Sequence, residues 1–258
     1  MTTVNRQHLV LPYGANHWDQ KTFSSSPGAK DTLEIDCHTR FVIIDPAQAT
    51  PLRLNGGQYE FHEPPNMRLV PTVFDQLAYL ETHFITLCGT YSKLQRLFIN
   101  RYFDFIVGRV EDECEPLSKV IEDFGNLYEY HDWAFSAFRP LPQAYIYAPK
   151  DHASDATPQA DDFTPTEMAF WTGSTVLVID LSDPGSTDPF QSRRLKRIKD
   201  AGINILAITP AVLDDQQSSA FRDLLPEPMQ NFWHGELAPS RPFVDTKLGD
   251  ISASTIDF

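Results

Sequence analysis

Within the run EMAFWTGSTVLVIDLSD, Glu167, Asp180 and Ser182 are the two carboxylates and the hydroxyl whose types and spacing could do chemistry. Glu167 opens one apolar run, Asp180 ends the next, and Thr172-Gly173-Ser174 separates them as a tight turn. Folding both runs as strands of a hairpin brings the two acids together on one sheet edge. Such a pair suits a divalent cation that prefers hard oxygen ligands and keeps waters, as magnesium does, and that activates water against a phosphodiester. A structural role fits the same residues: Glu167 caps a strand, and Asp180 caps a turn by accepting from the amides of residues 182 and 183. Downstream, SRRLKRIKD crowds Arg193, Arg194, Lys196, Arg197 and Lys199 onto one helix, the strongest local positive patch of the chain. A phosphate backbone would bind there, or the helix is simply solvated, with Leu195 and Ile198 toward the sheet and most charges outward.

The rest of the sequence narrows the field. Lys and Arg total 21 against 35 Asp and Glu, a formal charge of −14, so nucleic acid is repelled on average and any contact is confined to a local basic patch. Cys37, Cys88 and Cys114 are odd in number and widely spaced, which points to buried free thiols rather than a zinc site or a disulfide framework. No apolar stretch approaches a bilayer span and the N-terminus lacks a signal-peptide pattern, which leads us to expect a cytoplasmic protein with no membrane contact. His131-Asp132, His234 with Glu236, and the isolated His62 and His83 form no triad or zinc motif. Gly56-Gly57 is a turn and not a phosphate loop, and Trp171 and Trp233 read as core or lid aromatics.

The elements that must position the acids follow from periodicity. Residues 1–71 read as a loop-rich β extension, with Arg40 to Ile44 as one strand among Pro, Gly and Asn breakers. Residues 72–127 form a helical segment. Leu77, Leu80, Phe84, Leu87, Tyr91, Leu94 and Phe98 recur at helical spacing, Gly89 bends or splits the helix, and a second, short helix runs from Pro116 to Gly125. Residues 128–258 hold an α/β core and a C-terminal tail. The core contains an edge strand or hairpin in FSAFRPLPQAYIY, an exposed polar loop over His152 to Asp162, and strands at Glu167 to Trp171 and Thr175 to Leu181. A helix opened by Asp188-Pro189 and closed by Gly202 leads to a strand at Ile203 to Ile208, paired in parallel with its predecessor. One more helix is expected near Gln216 to Leu225, followed by a tail without periodicity.

The segments EMAFWTGSTVLVIDLSDPGS and SRRLKRIKDAGINILAIT resemble the core of the PD-(D/E)XK nuclease superfamily, in particular its compact members related to very-short-patch-repair endonucleases. The resemblance covers about 45 residues. It implies a restriction-endonuclease-like mixed sheet flanked by helices, magnesium held by Glu167 and Asp180, and DNA phosphodiester hydrolysis. Glu167 matches the family's first aspartate and Asp180 its second acid. Ser182 stands where many members carry the lysine that positions the attacking water, and serine offers only a neutral hydrogen bond. In some members the cation comes from the following helix, where Lys196 is the catalytic candidate and Arg193, Arg194, Arg197 and Lys199 the phosphate contacts. Glu111, Glu113 or Glu122 would supply a third acid. The departure at Ser182 leaves a second reading open, a non-catalytic descendant serving as a protein-binding or scaffold subunit. A third is a small-molecule enzyme using the crevice at the strand ends near Asp180.

Overall fold

The computed structural model describes residues 9–14, 23–25, 33–35, 40–44, 49–54, 73–89, 92–112, 134–148, 162–182, 185, 188–215 and 219–232. Near the N-terminus β1 (Leu9–Tyr13) pairs antiparallel with β4 (Arg40–Ile44), and β2 (Phe23–Ser25) with β3 (Leu33–Ile35). The β1/β4 ribbon shares the main core, since Leu11, Tyr13 and Ile44 are buried in it. It is also tied to the later chain by polar contacts: Gly14 N–H donates to Pro142 O at 2.8 Å, and buried Arg139 donates through Nη2 to the Tyr13 hydroxyl at 2.6 Å.

Helical periodicity becomes two helices, α1 (Val73–Leu87) and α2 (Lys93–Asp112). The break falls at Gly89, whose φ of +77° is left-handed and favours glycine as a helix terminator. Arg96 Nε then donates to Gly89 O at 3.0 Å and fixes the junction. The short helix expected from Pro116 to Gly125 and the loop expected over His152 to Asp162 lie outside the described residues, apart from Asp162.

Four strands make the central sheet, in the order β10 (Asn204–Ala207), β9 (Val176–Asp180), β8 (Met168–Trp171), β5 (Leu141–Pro142). Both β5/β8 and β8/β9 are antiparallel, whereas β9/β10 is parallel, so the sheet is mixed as expected. The crossover between β9 and β10 is α3 (Pro189–Asp200), whose N-cap Asp188 accepts from Phe190 N–H at 2.9 Å. Every residue of β8 and β9 is buried, the mark of central strands covered on both faces. A small separate ribbon, β6 (Tyr145–Tyr147) with β7 (Phe163–Pro165), flanks this sheet, so the aromatic segment ahead of it forms two short strands in two different sheets.

Strand alternation assigns the two faces. Phe170 points toward α2, where Tyr102 lies 5.3 Å and Phe98 6.1 Å away between ring centroids. Glu167, Ala169 and Trp171 take the opposite face, together with Val176, Val178 and Asp180 of the neighbouring strand. Beyond β10, α4 (Pro210–Asp214), α5 (Ala220–Leu224) and α6 (Glu227–Gln230) close the core with Leu213, Phe221 and Met229. The helix expected near Gln216 to Leu225 is therefore shorter, and the first part of the aperiodic tail carries a helical turn. The protein is mixed α/β, a four-stranded mixed sheet flanked by helices, and no helix among the described residues is long and apolar enough to cross a membrane.

Candidate functional site

The register Met168↔Ile179, taken one step outward, puts Glu167 directly opposite Asp180. Opposed side chains in an antiparallel pair share a face, so both carboxyls lie on the α3 side. Asp180 also neighbours Ala207 of β10 and accepts from Ile208 N–H through its backbone carbonyl, at 2.9 Å. Its place is therefore the C-terminal end of a central strand, at the point where the chain leaves the sheet for the crossover. On the other side, Glu167 is held through its carbonyl by Gln143 N–H at 2.9 Å. The Gln143 side chain in turn donates to Cys88 O at 2.6 Å and Ser92 Oγ at 3.1 Å. The α1/α2 junction thus anchors the strand end that carries Glu167.

Three donors converge on one oxygen of Asp180. Ser182 N–H and Oγ reach Oδ1 at 3.2 and 2.5 Å, and Gln191 Nε2 reaches it at 3.2 Å from the first turn of α3. The turn cap expected from the sequence is present toward residue 182; residue 183 lies outside the described residues. Glu167 accepts from Leu181 N–H at 3.0 Å through Oε2, while Oε1 lies 3.9 Å from Arg194 Nη2. Burial holds the Glu167 carboxyl above the usual range, the Leu181 N–H and Arg194 charge pull it back, and the neighbouring Asp180 charge adds to the upward push. Only 9% of Asp180 is exposed, so the pair lies at the edge of the core and not on the open surface.

Beside the acids is a cleft of about 440 Å³ lined by Glu167, Asp188, Gln191 and three arginines, Arg193, Arg194 and Arg197. Arg197 Nε donates to Ala148 O at 2.7 Å, which pins α3 to the end of the β6 segment. Lys196 and Lys199 are exposed and do not line the cleft. The sequence groups all five cations; the fold brings Arg194 to Glu167, turns Arg197 partly inward with it, and leaves Arg193, Lys196 and Lys199 outward as expected for most of them. Ile198 is buried, as expected, while Leu195 is only half-buried.

Gln191 and Gln143 were not picked out by sequence reasoning. The signal for Gln191 was its spacing: 191, 194 and 198 form one helical stripe whose last member is the buried Ile198. Gln143 carries no comparable mark, for its φ of +48° and its contacts are products of the tertiary fold. Glu111 lies exposed in the last turn of α2, and Glu113 and Glu122 lie outside the described residues. Trp171 is a core residue, donating through Nε1 to Thr50 O at 2.8 Å. His83 is half-buried on α1; His62, His131, Asp132, Trp233, His234 and Glu236 lie outside the described residues. Among the described residues no cluster of three or more His, Cys, Asp or Glu is placed to hold a metal, and the acid pair offers two carboxylates.

Fold and site together define an α/β protein with a partly buried acidic pair at one edge of the central sheet, where Glu167 lines an arginine-lined cleft. Compared with protein-family models, curated proteins and solved structures, the chain matches none.

Proposed function

We propose that this chain is a magnesium-dependent phosphodiesterase of the PD-(D/E)XK kind acting on DNA. The observation that carries the reading is the pairing of Glu167 with Asp180 across β8 and β9, on the face that meets the arginines of α3. The order of elements supports it: a helix, two antiparallel strand pairings, a crossover helix and a parallel strand, with the second acid at the end of the strand before the crossover.

The residues fit magnesium. This ion keeps several waters and is ordinarily held by one or two carboxylates together with substrate phosphate. Among the described residues, all hydrogen bonds to the Asp180 carboxylate fall on Oδ1, which leaves Oδ2 for a cation, and Glu167 Oε1 is held only at ion-pair distance by Arg194. When bound, magnesium supplies a polarised water and charge neutralisation at the phosphate. The chain's own residues do the positioning. Gln191 and Ser182 fix the Asp180 carboxylate, Leu181 N–H fixes Glu167, and Arg194 supplies a guanidinium beside the acids, a role the family often gives to lysine. A carboxyl whose affinity for protons is raised by burial, set against a second acid in a cleft, is the kind of group found at reactive centres.

A second reading, binding without hydrolysis, is favoured by one contact. The Ser182 hydroxyl is spent on Asp180 at 2.5 Å, so it holds the carboxylate rather than a water. Incubation with plasmid and single-stranded DNA, in magnesium or manganese, separates the two. The first reading expects cleavage that falls at least about a hundredfold in Asp180→Ala. Absence of cleavage with either metal, together with no metal-dependent rise in melting temperature, overturns it.

A further inference from the structure

Phe190 is the second residue of α3 and is 80% exposed; the other large apolar side chains exposed among the described residues, Phe74 and Leu224, stand at 39%. It lines the same cleft as Arg193, Arg194 and Arg197, with Pro165 as a further apolar lining residue. Two buried polar atoms of the lining residues have no hydrogen-bond partner among the described residues: Thr164 Oγ1, on a residue only 3% exposed, and Arg194 Nε. An exposed aromatic face beside arginines offers in one place what a nucleotide needs. The ring can stack a base and the cations can hold its phosphate.

We infer that this cleft binds an unpaired nucleotide of single-stranded DNA, its base stacked on Phe190 and its phosphate on Arg193 and Arg194. The inference rests on the phosphodiester reading above and narrows its substrate. A duplex keeps its base faces inside the stack, where Phe190 cannot reach them, whereas a single strand presents them. The volume of about 440 Å³ suits a single small ligand unit. Glu167 and Asp188, which also line the cleft, repel phosphate from their side and so favour the arginine side for the backbone.

The test is fluorescence anisotropy of the full chain, with magnesium present and phosphorothioate linkages to prevent cleavage. The probes are a labelled oligothymidylate and its duplex with oligoadenylate. Tighter binding of the single strand is expected, with a loss of about five- to a hundredfold in Phe190→Ala and recovery in Phe190→Trp. Arg193→Ala should weaken binding of the single strand and flatten its salt dependence by about one ion. Because Phe190 is exposed, its substitution leaves the core intact. Equal binding of the two probes, no binding of either, or binding indifferent to Phe190→Ala overturns the inference. Cleavage of duplex DNA that ignores Phe190→Ala also overturns it while leaving hydrolysis standing. Phe190-dependent capture of the single strand without any cleavage does the reverse.

Discussion

Replacing Arg194 with methionine keeps the aliphatic stem and removes the charge beside Glu167. Nη2 and Oε1 are 3.9 Å apart, with the two side chains 22% and 27% exposed. At an effective dielectric constant of about 20, that separation corresponds to a gross attraction of about 4 kcal/mol. Desolvation and residual exposure return most of it, leaving a net coupling of about 1–2 kcal/mol. The coupling depends on pH in a defined direction. Because burial raises the folded-state value of Glu167 above the ordinary 4.5, the folded chain holds this proton longer than the unfolded chain does. Stability contributed by Glu167 therefore falls as pH rises through the window that starts near 4.5 and ends at the raised value. Arg194 limits that fall, since its charge lowers the Glu167 value. Without it the window extends upward and the loss deepens; below the window the carboxyl is neutral in both states and Arg194 has no charge to meet. Urea unfolding of wild type, Arg194→Met, Glu167→Gln and the double variant at about pH 4 and about pH 8 reads this directly as a double-mutant cycle. A coupling of about 1–2 kcal/mol is expected at the higher pH and close to none at the lower. Equal cost of Arg194→Met at both pH values, or an undiminished cost in the Glu167→Gln background, would refute the pairing.

Two further outcomes test the frame that holds the site. Gly173 sits in the β8/β9 turn with φ +98°, and a Cβ there would come within 2.6 Å of Ala49 O, so Gly173→Ala should cost about 1–3 kcal/mol in a urea titration. An unchanged midpoint would mean that residues 49–51 are not seated on this turn. Cys88 is fully buried and its thiol is pushed up to about 12 by burial, so in the folded protein the peptide carrying Cys88 should stay unalkylated at about pH 8 and label only after denaturation. Rapid labelling in native conditions, read by mass spectrometry of that peptide, would contradict this packing.

Local pattern sufficed for the α1/α2 break, for β8, β9, α3 and β10, and for the pairing of the two acids. The turn residues 172–174 between two apolar runs imply a hairpin, and a hairpin with an even pleat forces Glu167 and Asp180 onto one face, whatever surrounds it. Asp188-Pro189 and Gly202 likewise bound α3, because capping chemistry and left-handed backbone act within a few residues. Which cation meets the acids was settled only by tertiary packing. All five basic residues of α3 carry the same charge at overlapping helical spacings, and it is the roll of α3 on the sheet, fixed by buried Ile198 and the Arg197 bond to Ala148, that turns Arg194 toward Glu167 and leaves Lys196 in solvent. The same holds for Gln143, which reaches Glu167 across 24 residues of sequence and Cys88 across 55. The β1/β4 ribbon, expected as an extension, joins the core for a related reason: its apolar residues and the buried Arg139 have partners far along the chain, and nothing local in the sequence names them.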